Sequence, residues 1–125
     1  MSYSAERENL MDLAMERDNS VEGLTILIVK GGADLFTTPL LRKYVAELIT
    51  KNGPRLLVEL GEVRFLGPAA CQVLIDARER AVARGGFLCL VDPPEYWDTR
   101  ALGFPTFDSR AEAIEQLPRL LAGGA

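Results

Sequence analysis

Between residues 55 and 91 the chain changes twice between the hydrophobic periods of strands and helices. Leu56, Leu57, Val58 and Leu60 make an apolar run broken only by Glu59, the pattern of a strand covered on both faces. From residue 70 the apolar positions fall at Ala70, Val73, Leu74, Ala77 and Ala81, the spacing of a single helix face. Phe87-Leu88-Cys89-Leu90-Val91 then reads as a buried strand again. At the junction, Gly67 suits the N-cap. Pro68 suits the first helical position, because its φ is already helical and the N–H it lacks would have no partner there.

The same reading extends in both directions. Residues 24–30 predict a strand buried on both faces, preceded by a turn at Asn19-Ser20-Val21-Glu22-Gly23. Thr38 as N-cap and Pro39 in the first turn open a helix to about residue 51, with Leu41, Tyr44, Val45, Leu48 and Ile49 inward. Gly53-Pro54 ends that helix, and Gly85-Gly86 ends the one from 68 to 84. Pro93-Pro94 precede a short predicted helix over 95–102, then a brief strand at Thr106-Phe107, then a helix over 110–121 capped by Ser109. Residues 10–16 fit a strand or a short helix, and the polar residues 1–9 predict a flexible N-terminus. Strands alternating with helices imply one α/β domain over 10–122, with a mixed, mainly parallel sheet of four to five strands and about four helices.

Composition narrows the function. With 48% hydrophobic and 26% charged residues the chain has ordinary globular content. Its net charge of −4 argues against direct nucleic-acid binding, which leaves a basic footprint. Its longest apolar stretch, 24–29, is too short for membrane insertion. The acidic start at Glu6, Glu8 and Asp12 does not read as an export signal. A cytoplasmic protein is expected, with Cys71 and Cys89 as reduced core residues.

The chain has no histidine, which removes the commonest general base and metal ligand together. Glu59 and Glu62 read as a solvated pair at a strand end and its loop. Gly31-Gly32 with Asp34 lacks the spacing of a phosphate loop. The glycines are read as a tight turn after the strand, with Asp34 bonding nearby amides in an Asx-turn. No enzyme activity, cofactor or metal is expected.

Two segments carry a family resemblance. Lys30-Gly31-Gly32-Ala33-Asp34 resembles the Gly-x-x-Asp that follows the second strand of the STAS domain family, in its anti-sigma-factor antagonist branch. Glu59-Leu60, Val63-Arg64-Phe65-Leu66 and Gly67-Pro68-Ala69-Ala70 resemble that branch's run from a buried strand through Asp-Ser-x-Gly into a helix. The resemblance spans residues 24–120 and also favours a strand at 10–16. It implies a non-enzymatic module that binds an anti-sigma factor of the serine-kinase type and affects sigma-factor-dependent transcription. The family's phosphoacceptor Ser falls on Pro68 and its neighbouring Asp on Gly67. Other STAS domains are accessory subunits of transporters or bind small ligands, which gives an alternative role.

The resemblance places Asp34, Phe36 and Thr37 near Gly67, Pro68 and Ala69 as the partner-binding surface. Phe36 is read either as an exposed contact or as folded back over the core. Thr37 is the nearest substitute hydroxyl for phosphate, since Thr38 is assigned to helix capping. Tyr96 and Trp97 are read either as a contact pair or as aromatics of a short helix in which Trp97 and Leu102 pack on the sheet edge.

Overall fold

The computed structural model describes the backbone of residues 2–5 and all of residues 13–122. Its elements are β1 (Ser2–Ala5), β2 (Leu13–Asp18), β3 (Thr25–Ala33), α1 (Thr38–Asn52), β4 (Arg55–Leu66), α2 (Pro68–Ala83), β5 (Phe87–Val91), β6 (Thr106–Phe107), α3 (Arg110–Glu115) and α4 (Leu117–Ala122). The strands form one six-stranded sheet in sequential order. β1, β2 and β3 pair antiparallel, while β3, β4, β5 and β6 run parallel. The four to five strands expected are those from Leu13 onward, and β1 adds one within the segment expected to be flexible. The rest of residues 1–9, and residues 10–12 of the ambiguous segment, lie outside the described residues; the remainder of that segment is strand β2.

β4 shows why a continuous apolar run was needed. Leu56, Val58 and Leu60 face the larger core with Leu27, Val29, Leu88 and Leu90, under Leu41, Val45, Leu48 and Ile49 of α1 and Val73, Leu74 and Ala77 of α2. Leu57 faces the other way, with Ile26, Cys89 and Val91, under Ala113, Leu117 and Leu120 of the C-terminal helices. Each such leucine contributes roughly 1.5–3 kcal/mol by leaving water. The predicted inward faces of α1 and α2 are the observed ones, with Tyr44 partly buried against the core.

Four local expectations are corrected. Gly31-Gly32 do not turn: β3 continues to Ala33 through register shifts against β4 between Ile28 and Lys30 and between Gly31 and Gly32. Pairing with that extension carries β4 on to Leu66, so Glu59 and Glu62 are strand residues. Residues 95–102 form turns rather than a helix. There the Asp98 carboxylate accepts from the Ala101 amide, and the Thr99 hydroxyl is bonded to that of Thr106, drawing the chain towards β6. The C-terminal helix divides into α3 and α4 ahead of Pro118, which has no N–H for a continuing helical ladder. Ser109 caps α3 as expected, its Oγ accepting from the Glu112 amide at 3.1 Å.

The expected solvated pair is also absent. Glu62 faces Lys30 at 3.6 Å on the surface. Glu59 instead receives Nε and Nη2 of Arg110, whose Nη1 reaches Asp18 at 3.0 Å. One guanidinium at the start of α3 thus ties that helix to β4 and β2. The hydrogen bond to Glu59 raises the Arg110 pKa, while hydrogen bonds from Ser20 and then Arg110 lower that of Asp18.

Because the folded Asp18 carboxyl titrates below its ordinary value of 3.8, its contribution is present above that pH and is lost as pH falls through the folded value. Asp18→Ala should therefore lower Tm slightly at pH 7, with the gap closing in more acidic buffer; a gap independent of pH would contradict this assignment.

Steric demand is sharpest at Gly86. A Cβ there would lie 1.9 Å from the Pro54 carbonyl oxygen, whereas one at Gly61 would meet only the Asp92 side chain. Gly86→Ala should destabilise by about 1–3 kcal/mol in urea unfolding, and Gly61→Ala by clearly less. Equal effects would place the constraint elsewhere.

Candidate docking site at the ends of two parallel strands

β3 and β4 end together. Ala33 is in register with Leu66, and the Gly67 amide donates to the Ala33 carbonyl at 3.0 Å, extending the ladder by one bond into the turn. The segment leaving β3 and the turn opening α2 therefore lie side by side. Gly67 is the extended N-cap and Pro68 the first helical residue, as the sequence predicted. A Cβ at Gly67 would lie 3.2 Å from both the Ala33 carbonyl oxygen and the Phe65 ring, so the close approach of the two segments favours glycine.

The loop after β3 is held by its own polar groups. Asp34 Oδ1 accepts from the amides of Phe36 at 2.8 Å and Thr37 at 2.9 Å, the expected Asx-turn. Thr37 Oγ1 accepts from the Asp34 amide at 2.9 Å and lies 3.0 Å from the Gly32 carbonyl and 3.1 Å from Asp34 Oδ1, both acceptors for its single proton. Thr37, not Thr38, is the N-cap of α1. Thr38 is buried one residue further on, its hydroxyl without a hydrogen-bond partner.

The six residues expected at the partner surface thus divide. Phe36, at 69% exposure, projects into solvent rather than folding over the core. Pro68 and Ala69 are exposed and Asp34 partly so. Thr37 at 0% exposure lies underneath with Gly67, so its hydroxyl is a brace for the loop and not an accessible acceptor.

Reading by motif passed over Leu35, exposed to 82%, and Phe65, exposed to 41% beside the turn. The signal available was position: Leu35 directly follows the first motif, and Phe65 lies within the second. Tyr96 and Trp97 do not act as a pair. Trp97 packs inward, edge-on to Phe104 with ring centroids 5.4 Å apart, while Tyr96 is exposed and its hydroxyl meets the Leu66 backbone. Leu102, expected to pack with Trp97, is exposed.

The remaining chemistry is spare. Both cysteines are free; burial raises the Cys71 thiol pKa and pushes that of Cys89 up to about 12, so neither is a ready nucleophile. Among the described residues no group of three or more Cys, Asp or Glu is placed to hold a metal ion, and no helix is long and apolar enough to cross a membrane.

A layered α/β module with a candidate site on two stitched loops is the class these features define. The sequence matches the model of the STAS domain over residues 13–103, and the chain belongs to the STAS domain family. Solved structures share the fold at low identity. An anti-sigma factor antagonist from Mycobacterium paratuberculosis superposes with TM-score 0.69 at 20% identity, over 82% of this chain and 92% of that one. The anti-sigma factor antagonist SpoIIAA in its unphosphorylated form gives 0.70 at 14%, over 83% and 97%. The Bacillus cell fate determinant SpoIIAA in the phosphorylated form gives 0.69 at 12%, over 82% and 98%. No curated protein sequence matches the chain.

Removing the Thr37 hydroxyl would leave the Asp34 amide and the Gly32 carbonyl without that partner. Thr37→Val should destabilise by about 1–3 kcal/mol, against about 0.5 kcal/mol or less for the exposed Phe36→Ala. Urea unfolding of the two variants checks this, and an unchanged midpoint in Thr37→Val would show that the hydroxyl does not brace the loop.

Proposed function

We propose that this protein is a non-enzymatic anti-sigma-factor antagonist homologue. It docks on an anti-sigma factor of the serine-kinase type through Asp34, Phe36, Pro68 and Ala69, with Thr37 and Gly67 supporting them. The observation that carries this reading is the projection of Leu35 and Phe36 from a loop braced by Asp34 and Thr37, which leaves β3 at Ala33, the residue whose carbonyl accepts from the Gly67 amide of the turn that opens α2. Exposed apolar groups on a preorganised loop bind without first paying to order it. The antagonist fold of the similar solved structures supports the same reading.

In the resembling branch a phosphate at the first turn of this helix adds about −1.5 to −2 charges and ejects it from the partner. Residues 67–70, Gly-Pro-Ala-Ala, offer no hydroxyl, and the burial of Thr37 removes the nearest substitute. Docking is therefore constitutive with respect to phosphate at this turn.

A purified kinase-type partner tests the proposal. Phe36→Ala and Ala69→Arg should each weaken binding about tenfold or more with thermal unfolding nearly unchanged. Incubation of the native chain with the kinase and Mg-ATP should leave its intact mass unaltered. Full binding by both variants would move the interface elsewhere, and a phosphate adduct would overturn the constitutive reading.

A further inference from the structure

β4 outruns its neighbour on one side. β5 pairs with it only from Arg55 to Glu59, while β3 stays paired on the other side as far as Leu66. Beyond Glu59 the β5 side of β4 therefore has no strand partner among the described residues. An open strand edge is a template for unwanted pairing unless something covers it.

Residues 92–96 meet that part of β4 at two points. At one end Asp92, in a left-handed conformation with φ 52°, sits against Gly61, where a Cβ would fall 2.8 Å from Asp92 Oδ2. At the other end the Tyr96 hydroxyl accepts from the Leu66 amide at 2.8 Å and lies 3.4 Å from the Leu66 carbonyl. Pro93 and Pro94 between them have no N–H to add to the ladder. Trp97 then anchors this segment to the core against Phe104. Tyr96 itself is 66% exposed, so burial does little to hold its ring in place, and the hydroxyl contact is what fixes it.

We propose that Tyr96 is a positioning residue for the docking turn: by holding the Leu66 backbone immediately before Gly67, its hydroxyl sets the direction in which Gly67-Pro68 enters α2. Residues 92–96 and the docking surface are thereby coupled through one hydrogen bond. The consequence for binding rests on the function proposed above; the restraint on the turn does not.

Amide hydrogen exchange of the full chain, read by NMR in the native protein and in Tyr96→Phe, tests this. Loss of the hydroxyl should open the Leu66 amide to water within the native state and speed its exchange about tenfold or more, well beyond any change at Val58 and Leu90, with Tm lowered by no more than the few degrees that one ordinary hydrogen bond commands. An unchanged Leu66 rate overturns the proposal, as does a uniform increase across β3, β4 and β5, which would mark a general loss of stability. So does an unprotected Leu66 amide in the native protein, a measurement that does not depend on the variant folding. With a purified serine-kinase-type anti-sigma factor as probe, Tyr96→Phe should weaken binding several-fold. Unchanged affinity in Tyr96→Phe, where Phe36→Ala weakens binding as expected, overturns the positioning role and leaves the docking reading standing. If Phe36→Ala and Ala69→Arg also bind normally, the docking reading fails and the exchange result at Leu66 still decides the restraint.

Discussion

The parallel pairing of β3 with β4, carried past the end of β5 and closed by the Gly67 amide on the Ala33 carbonyl, is the constraint on which the candidate site depends. A parallel ladder brings the carboxyl ends of both strands to the same edge, so the segments leaving the two strands must emerge side by side. Here those segments are the Asp34 loop and the first turn of α2. Everything else at the site refines this juxtaposition: the Asp34 carboxylate and Thr37 hydroxyl stiffen one loop, and Gly67 allows the close approach.

The core was legible because its signals are local and periodic. The apolar faces of α1 and α2 and the run of β5 are set by spacing, and Gly67-Pro68 announces a helix start through backbone chemistry. What the sequence concealed depends on partners distant along the chain. The length of β4 is set by pairing with the extension of β3, and Glu59 takes its role from Arg110, 51 residues away. The segment 95–102 contains helix-compatible residues, yet side-chain bonds at Asp98 and Thr99 compete successfully for its backbone path. Thr37 and Thr38 illustrate the limit at one-residue resolution. Either can cap a helix, and only the Asp34 turn decides that Thr37 is the cap and is buried.

Both faces of the sheet are closed by different means. α1 and α2 cover one with a continuous apolar core, while the short α3 and α4 cover the other with fewer apolar groups and an Arg110 clamp onto β2 and β4. With both faces occupied, Leu35, Phe36, Phe65, Tyr96 and Leu102 among the exposed large apolar side chains lie on or beside the segments that leave the parallel strands, while Val82 on α2 and Leu121 on α4 stand apart from them. That distribution favours docking at the end of the sheet over binding to either face.

The function proposed is constitutive docking at a turn whose residues 67–70, Gly-Pro-Ala-Ala, carry no hydroxyl. Titration of the protein against a purified serine-kinase-type anti-sigma factor, once with a non-hydrolysable ATP analogue and once after prolonged incubation with ATP, tests it most directly. The account predicts the same Kd in both arms. A loss of affinity of tenfold or more confined to the ATP arm, or no binding in either, would contradict it.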